Sequence, residues 1–458
     1  MKRIHGHTFS ICPECGAEIP AKIIEDDDRI FLSKECIRHG KFKSLISSDA
    51  RWFADSKYFI KPRQEPLNLY RNTFKGCSSD SCGLCPAHQQ HTCLPVIEIT
   101  SLCDMNCPVC LKNLRQKFEM TPADFSNVID ALFNYEGDVP VINLSGGEPL
   151  LHSKIEHIFR ICSEKKIMQT TVSTNGKQLF QNKKLREIIK QNDILIALQF
   201  DGFDETASLM LRGENVTPWK LKLIDIFEKE QIKYSLVSTI AAGINDLEIN
   251  KITDLLFNSS AKSLMFQPVA FTGNCAKFLN ESNRITIPDI IRKCAECEKV
   301  DSNDFNPLPC SHYSCFALSY YFTINSTDFL SMKKFLGFED YLNVISNKTL
   351  PGIDLNSFEL IKNKIYEFWA ASDSVTEDSK VLDRIKSILK KLNETEFSSK
   401  RAFSIGADSM KAIFIHQLMD RYTADFGRLM KCCNHYSQID GRLIPMCTAN
   451  IFPGKYNG

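Results

Sequence analysis

Cys103, Cys107 and Cys110 stand in CxxxCxxC spacing within EITSLCDMNCPVCL, residues 98–111. Three thiolates on one tight loop hold three irons of a [4Fe–4S] cluster. No fourth ligand lies nearby in the chain, so one iron keeps an open position. An open position is of no use for plain electron transfer but is what a reactive metal centre needs.

The other cysteines fall into groups. Cys12, Cys15, Cys36 and His39, in ICPECG and ECIRHG, form two knuckles with a glycine after each last ligand. They suit a tetrahedral structural site for zinc, or for a single iron as in rubredoxin. Between them KIIEDDDRIFL reads as a hairpin with an acidic turn. So short a unit buries little core, and a metal supplies the missing stability. Cys77, Cys82, Cys85 and Cys93 crowd a loop rich in Gly, Ser, Asp and Pro. A saturated [4Fe–4S] cluster is the economical reading there, with a second zinc site as the alternative. His88 and His91 are possible substitute ligands, but read first as solvent-facing residues of that loop. Cys310, Cys315, Cys432, Cys433 and Cys447 are expected to converge on a third cluster. One of Cys432 and Cys433 would be spare, because adjacent side chains rarely ligate one cluster. Cys294 and Cys297 also have CxxC spacing, in a charged helical stretch, and rank lower. Cys162 lies on an apolar helix face and reads as core. Cys275 has no visible partner.

The elements that position these residues alternate between two periodicities. Strand-like runs are PVIEIT (95–100), VINL (141–144), MQTTVS (168–173), ILIALQF (194–200), YSLVST (234–239) and SLMFQP (263–268). Between them lie helices. One is capped by Thr121 with Pro122 at its first turn, and Phe125, Val128, Ile129, Leu132 and Phe133 share a face. Another runs from Asp246 with Ile249, Ile252, Leu255 and Leu256 on one face. Six β-then-α units with near-continuous apolar strands indicate a parallel sheet covered by helices, with the site in the loops after the strands. Those loops carry SGGEP (Ser145, Gly146, Gly147, Glu148, Pro149), STN (Ser173, Thr174, Asn175), Gln199 and Asp201 of QFDG, Arg212 of LRG, and Gln267. The glycines permit close backbone approach, Glu148 accepts hydrogen bonds from an ammonium, and Arg212 suits a carboxylate or phosphate. Asp201 positions a substrate or ribose, or caps the next helix. Gln267 faces the cavity or serves the structure. Phe316–Leu392 reads as a long helical region. QIDGRLIPM reads as a hairpin with an Asp-Gly turn.

The chain has 458 residues, enough for two or three domains. Lys plus Arg number 56 against 55 Asp plus Glu, so no basic stripe indicates nucleic acid. No apolar run approaches the ~18 residues of a membrane span. The N-terminus lacks the apolar segment of a secretory signal, so a cytoplasmic location is expected. In a reducing compartment, 19 cysteines read as metal or cluster ligands rather than disulfides.

The succession KGCSSDSCGLCPAHQQHTCLPVIEITSLCDMNCPVC, SGGEP, LQFDG, LRG, FQPV, PCSHYSC and CCNHYSQIDGRLIPMC resembles the radical S-adenosylmethionine (SAM) superfamily. It is most similar to the subgroup of methylene-folate-linked dihydropterin C-methyltransferases and tetraether lipid synthases. The resemblance spans Cys12 to Asn450. It departs at CLKNLRQKF, and residues 320–430 match little. It implies an α/β fold: a partial (β/α)6 radical SAM barrel with a small rubredoxin-like or zinc-ribbon domain before it and an auxiliary-cluster region after it. The expected bounds are 1–60 for the rubredoxin-like domain, 61–94 for an auxiliary cluster loop, 95–290 for the radical SAM core and 291–458 for the C-terminal region. It implies SAM on the open iron, bound by SGGEP, Ser173–Asn175, Gln199 and Asp201, with Arg212 and Gln267 toward the substrate. It also implies three [4Fe–4S] clusters, one SAM-binding and two auxiliary, and zinc or iron at the N-terminal site. The expected activity is C–C bond formation through a 5′-deoxyadenosyl radical, foremost C-methylation of a small heterocycle. The expected partners are a small-molecule or lipid substrate, a reduced ferredoxin or flavodoxin, and a methylene-folate donor, without nucleic acid. Two readings stand beside it: coupling of lipid alkyl chains, and a non-catalytic Fe–S or zinc redox sensor or interaction module.

Overall fold

The structure is a computed structural model and describes residues 3–70, 83–112, 117–325, 327–347, 354–371, 406 and 408–452. Cys77 and Cys82 lie outside the described residues.

The chain opens with a four-stranded antiparallel sheet of β1 (Arg3–Ile11), β2 (Glu18–Asp26), β3 (Arg29–Cys36) and β4 (Gly40–Ser47). The β2–β3 turn holds Asp27 and Asp28 at φ 54° and 53°, the paired left-handed conformation of a tight hairpin that aspartate tolerates. One face buries Ala21, Ile23, Ile30, Leu32, Ile46 and Phe53.

Among the described residues the second sheet has twelve strands. Its centre is β5 (Leu94–Thr100), β6 (Val141–Gly146), β7 (Gln169–Thr174), β8 (Leu195–Gln199), β9 (Tyr234–Ile240) and β10 (Ser263–Pro268). Each of these pairs in parallel with the next. All six expected strands are present, and all six end at one edge. Their runs are apolar because helices cover one face while the interior packs the other; Ile97, Ile142, Leu144, Val172, Ile196, Leu198, Leu236, Leu264 and Phe266 are fully buried. The fold is a partial (β/α)6 barrel behind a small N-terminal ribbon. The helix Pro122–Glu136 begins as expected, with Thr121 Oγ1 accepting from Asp124 N–H at 3.1 Å and Phe125, Val128, Ile129 and Leu132 buried.

The sheet continues on both flanks. Beyond β10, β11 (Asn306–Pro307), β12 (Phe316–Thr323), β13 (Phe329–Ser331) and β14 (Met410–His416) extend one side, with β14 parallel to β10 and antiparallel to β12. Beyond β5, β15 (Asn434–Ser437) pairs in parallel with it and turns back into β16 (Leu443–Pro445). The latter pair is the expected hairpin, with Gly441 at φ 82°. Phe316–Thr323 corrects the helical reading of that region. FALSYYFT is a strand buried on both faces, so it shows no alternation. Helices follow at Met332–Leu336, Phe338–Ile345 and Leu355–Ala371. Cys162, Cys294 and Cys297 pack in the main core. Among the described residues no helix is long and apolar enough to cross a membrane.

Candidate active site and metal centres

The CxxxCxxC loop leaves β5 at Thr100 and lies at the edge where the six parallel strands end. Cys103 is exposed, and Cys107 and Cys110 are half-buried. Burial pushes the Cys103 thiol up to about 11 and raises that of Cys110. The loop is held by backbone. Gly147 N–H donates to Thr100 O at 2.8 Å and Glu148 N–H to Leu102 O at 2.6 Å. A Cβ on Gly146 would stand 2.1 Å from Thr100 O, and one on Gly147 would stand 2.2 Å from Leu102 O. The close approach that the two glycines allow is therefore to the cysteine loop itself. Gly273 serves the loop's far end, where a Cβ would meet Leu111 C and O at 2.5 Å and Asn274 N–H donates to Cys110 O at 3.0 Å.

Glu148 is buried beneath the loop. Its carboxylate accepts from Thr174 Oγ1 at 2.7 Å, Asn175 N–H at 2.8 Å and Leu150 N–H at 3.2 Å. Burial pushes it up to about 7 against these bonds. Pro149 is buried at the start of the short turn behind it. Ser145 is half-buried on β6, and Ser173 Oγ donates to Asn143 Oδ1 at 3.0 Å. Asn175 Nδ2 donates to Asp104 Oδ1 at 2.7 Å, and Gln178 Nε2 to Asp104 Oδ2 at 2.9 Å. Asp104 stands between Cys103 and Cys107 and ties their loop to the end of β7. Sequence reasoning passed over it, since a lone aspartate inside a cysteine motif carries no pattern.

Asp201 neither caps the next helix nor stands free. Asp204 caps that helix, accepting from Thr206 N–H at 2.7 Å. Asp201 instead forms a buried bidentate pair with Arg212: Nε to Oδ2 at 2.6 Å and Nη2 to Oδ1 at 2.8 Å. Thr239 N–H also donates to Oδ1 at 3.0 Å. Burial raises the Asp201 carboxyl, but Arg212 overrides that and holds it below its ordinary range. Arg212 reaches further, donating to Thr239 Oγ1 at 2.9 Å and contacting the Cys107 thiol. Gln199 Nε2 donates to Asp201 Oδ2, and Lys220 Nζ donates to Gln199 O at 2.6 Å and to Gln199 Oε1. Lys220 is fully buried, and burial pushes its ammonium down to about 7. It too was missed, as one lysine in an amphipathic helix gives no signal. Gln267 donates to Met265 Sδ at 3.4 Å.

The N-terminal knuckles do converge. The ligand atoms of Cys12, Cys15, Cys36 and His39 lie within 4.8 Å of one another. His39 Nδ1 is 3.5 Å from both Cys12 Sγ and Cys36 Sγ. Backbone N–H of Arg38 is the main cause that brings the Cys36 thiol down to about 6, and Ala17 N–H lowers that of Cys15. Burial raises the Cys12 thiol, so it is the donor set, three sulfurs and one imidazole close together, that fits a zinc-type ion.

The remaining cysteines group differently from their order in the sequence. Cys93, Cys310 and Cys433 come together, the Cys93 thiol being raised by contact with Cys310, then with Cys433, and by burial. Cys432 and Cys447 are raised by burial; the charged neighbours of Cys432 include Cys447, Cys433 and Cys315, and those of Cys447 include Cys315. Cys85 is buried. His88 and His91 are corrected: His88 is buried, with Nε2 2.9 Å from Cys432 O, and the His91 side chain is 13% exposed.

Residues 97–256 match the model of the radical SAM superfamily, and residues 4–48 match that of the HMPTM N-terminal zinc ribbon domain. Residues 97–256 are a radical SAM domain. The chain is 28% identical to 7,8-dihydro-6-hydroxymethylpterin dimethyltransferase of Methanocaldococcus jannaschii, over 97% of this chain and 93% of that protein. Molybdenum cofactor biosynthesis protein 1 of Dictyostelium discoideum is 24% identical over 44% of this chain and 32% of its own. A solved structure of SuiB of Streptococcus suis with precursor peptide SuiA covers 46% of each chain at 19% identity, with a TM-score of 0.39. The radical SAM domain implies a [4Fe–4S] cluster and SAM. The residues fit both, with three thiols on one loop whose Leu102 carbonyl accepts from the N–H of the buried Glu148.

Proposed function

We propose that this radical SAM enzyme methylates carbon in a small heterocycle, with a reduced pterin as the first substrate class to test. The observation that carries the reading is the alignment with the dihydropterin dimethyltransferase over nearly the full length of both chains. In this reading the chain is organised as a metal ribbon over 1–60, a cluster loop over 61–94, the radical SAM core over 95–290 and a C-terminal region over 291–458. Cys103, Cys107 and Cys110 hold the SAM cluster. The N-terminal set holds zinc, and the other cysteines hold two auxiliary [4Fe–4S] clusters. A reduced ferredoxin or flavodoxin supplies electrons and a methylene-folate supplies the carbon.

Bound SAM and its cluster supply a one-electron C–S cleavage that yields a hydrogen-abstracting radical. The protein's residues seat and shield that chemistry. Glu148 presents a buried carboxylate to the methionine ammonium, and Thr174 and Asn175 fix its orientation. Asp104 locks the cysteine loop onto Asn175 and Gln178, so loop and carboxylate move as one. The Asp201–Arg212 pair backs Cys107 from the other side. A preorganised set of buried polar groups of this kind holds the reacting groups in position.

The test is anaerobic reconstitution of the full chain with iron and sulfide, then addition of dithionite, SAM, 7,8-dihydro-6-hydroxymethylpterin and a methylene-folate. The expected result is 5′-deoxyadenosine together with a pterin heavier by one or two methyl groups. SAM cleavage with an unmodified pterin, under both folate-supplied and folate-free conditions, refutes the substrate class. No 5′-deoxyadenosine under any condition refutes the assignment of the catalytic loop.

A further inference from the structure

We propose that Glu98, held by Lys112, recognises the substrate by accepting two adjacent N–H donors from the edge of an amino-oxopyrimidine ring, the edge that a reduced pterin carries. This deepens the proposed function and rests on it.

The strand register puts the carboxylate in the barrel interior. Successive side chains of a strand leave the sheet on opposite faces. Ile97 and Ile99 on β5, Ile142 and Leu144 on β6 and Val172 on β7 are buried in the main core. The residues that alternate with them, Glu98, Asn143, Ser145, Thr171 and Ser173, are half-buried and line the other face. Val96 pairs with Asn143, and Glu98 pairs with Ser145. Ser145, the first residue of SGGEP, is thus the direct neighbour of Glu98 on the interior face, and Asn143 is its diagonal neighbour.

The cysteine loop folds back onto the same spot. Lys112 stands two residues after Cys110. Its Nζ lies 2.7 Å from Glu98 Oε1 and 3.9 Å over the Tyr436 ring. Tyr436 pairs with Val96, so it shares that face. The Glu98 and Lys112 side chains are 25% and 20% exposed, so the pair is neither sealed in the core nor a surface contact. Glu98 lies near the end of β5 and Lys112 just past the last cysteine, so a ring held by this pair lies beside the cluster loop. Lys112 belongs to CLKNLRQKF, where the chain departs from the succession it otherwise resembles. A device for this chain's own substrate belongs there.

The groups left over define the ligand. A carboxylate offers about four lone-pair sites. Among the described residues Lys112 is the ionic partner of Glu98, at Oε1, which leaves Oε2 and one side of Oε1 for a ligand. Ser173 Oγ donates to Asn143 Oδ1 at 3.0 Å, so the Asn143 amide keeps its Nδ2 donors for a ligand acceptor. An amino-oxopyrimidine presents an amino N–H, a ring N–H and a carbonyl side by side. The two N–H groups match the two carboxylate oxygens in a charge-assisted bidentate pair. The carbonyl beside them matches Asn143 Nδ2. An alkyl chain has no such donors, and packing one against Glu98 and Lys112 would desolvate both charges without compensation.

The test uses the full chain, reconstituted anaerobically and saturated with SAM. Binding of 7,8-dihydro-6-hydroxymethylpterin and of its analogue lacking the 2-amino group is measured by equilibrium dialysis. The wild type is expected to prefer the pterin by about 10–100-fold, the range of a hydrogen bond to a charged group. Glu98→Gln turns one acceptor into a donor and should bind the two compounds within about threefold of each other. Asn143→Leu should weaken the pterin by about tenfold and keep the preference, because it acts on the carbonyl. Iron and zinc contents equal to the wild type mark folded variants. Equal affinity of the wild type for both compounds overturns the assignment without any variant. A Glu98→Gln chain that binds both compounds more weakly but keeps the preference marks a structural role and overturns it too. If the wild type binds neither compound, the pterin reading itself fails, an outcome distinct from pterin binding that ignores the 2-amino group.

Discussion

The Asp201–Arg212 pair offers the most quantitative test of how the sheet edge is built. Both side chains are buried, at 4% and 9% exposure, and three N–H groups besides Gln199 converge on the one carboxylate. Asp201→Asn keeps the volume and an acceptor for Thr239 N–H but leaves the guanidinium without a counter-charge. Removing one partner of a buried pair costs about 3–5 kcal/mol, because the survivor stays desolvated and uncompensated. Arg212→Gln should cost a similar amount for the opposite reason. The double variant removes both charges, so its loss should fall at least about 2 kcal/mol short of the sum of the singles. The assay is urea unfolding of the zinc-loaded chain followed by tryptophan fluorescence, since Trp219 adjoins Lys220. The acid limb gives an independent sign. The Asp201 carboxyl sits below its ordinary range in the fold, so its contribution is present above the unfolded value of about 3.9 and lost as pH falls through the folded one. Asp201→Asn should flatten that limb. A single variant within about 1 kcal/mol of wild type, or additive losses in the double, refutes the coupled pair.

Gly147→Ala should move the loop backbone, since the added carbon would stand 2.2 Å from Leu102 O. The expected result is loss of about four irons and of SAM cleavage with zinc retained, and an unchanged iron count refutes it. Glu148 is raised to about 7 by burial, so its stability contribution is full below its unfolded value and lost as pH rises through about 7. SAM binding draws on the ionised form, so affinity measured by titration should rise with pH through that value. Glu148→Gln should bind weakly without that dependence, and a pH-independent wild type sinks the assignment. Stripping the N-terminal site with a chelator, or Cys36→Ser, should unfold the ribbon while EPR of the SAM cluster persists, because the set closes wholly within residues 12–39.

What the sequence yielded and what it withheld follow from where each signal resides. The six strands were legible because each is short, apolar and bounded by turn residues or a helix cap. A parallel sheet buried on both faces permits little else. The same double burial hid β12. FALSYYFT has no alternation, and its neighbours Asn325 and Ser331 do not punctuate it strongly, so a helix fitted it as well. Glu148, Gly146 and Gly147 were found through spacing, but their partners were not. A close approach to the backbone of Thr100 and Leu102 is a tertiary fact. Asp201 and Arg212 were each read toward a ligand, although the nearest answer to a buried carboxylate was a guanidinium one helix later. The cysteines make the point most sharply. Grouping them by sequence proximity assigns Cys93 to the loop before it and Cys433 to the loop around it. The backbone beside the β5–β15 pairing instead sets Cys93 next to Cys433, Cys93 N–H donating to Cys433 O at 2.8 Å. Proximity along the chain identifies a metal loop directly when its ligands share one loop, as Cys103–Cys110 do; the Cys12–Cys15 and Cys36–His39 knuckles lie on either side of the β2–β3 hairpin, and the antiparallel pairing returns one to the other.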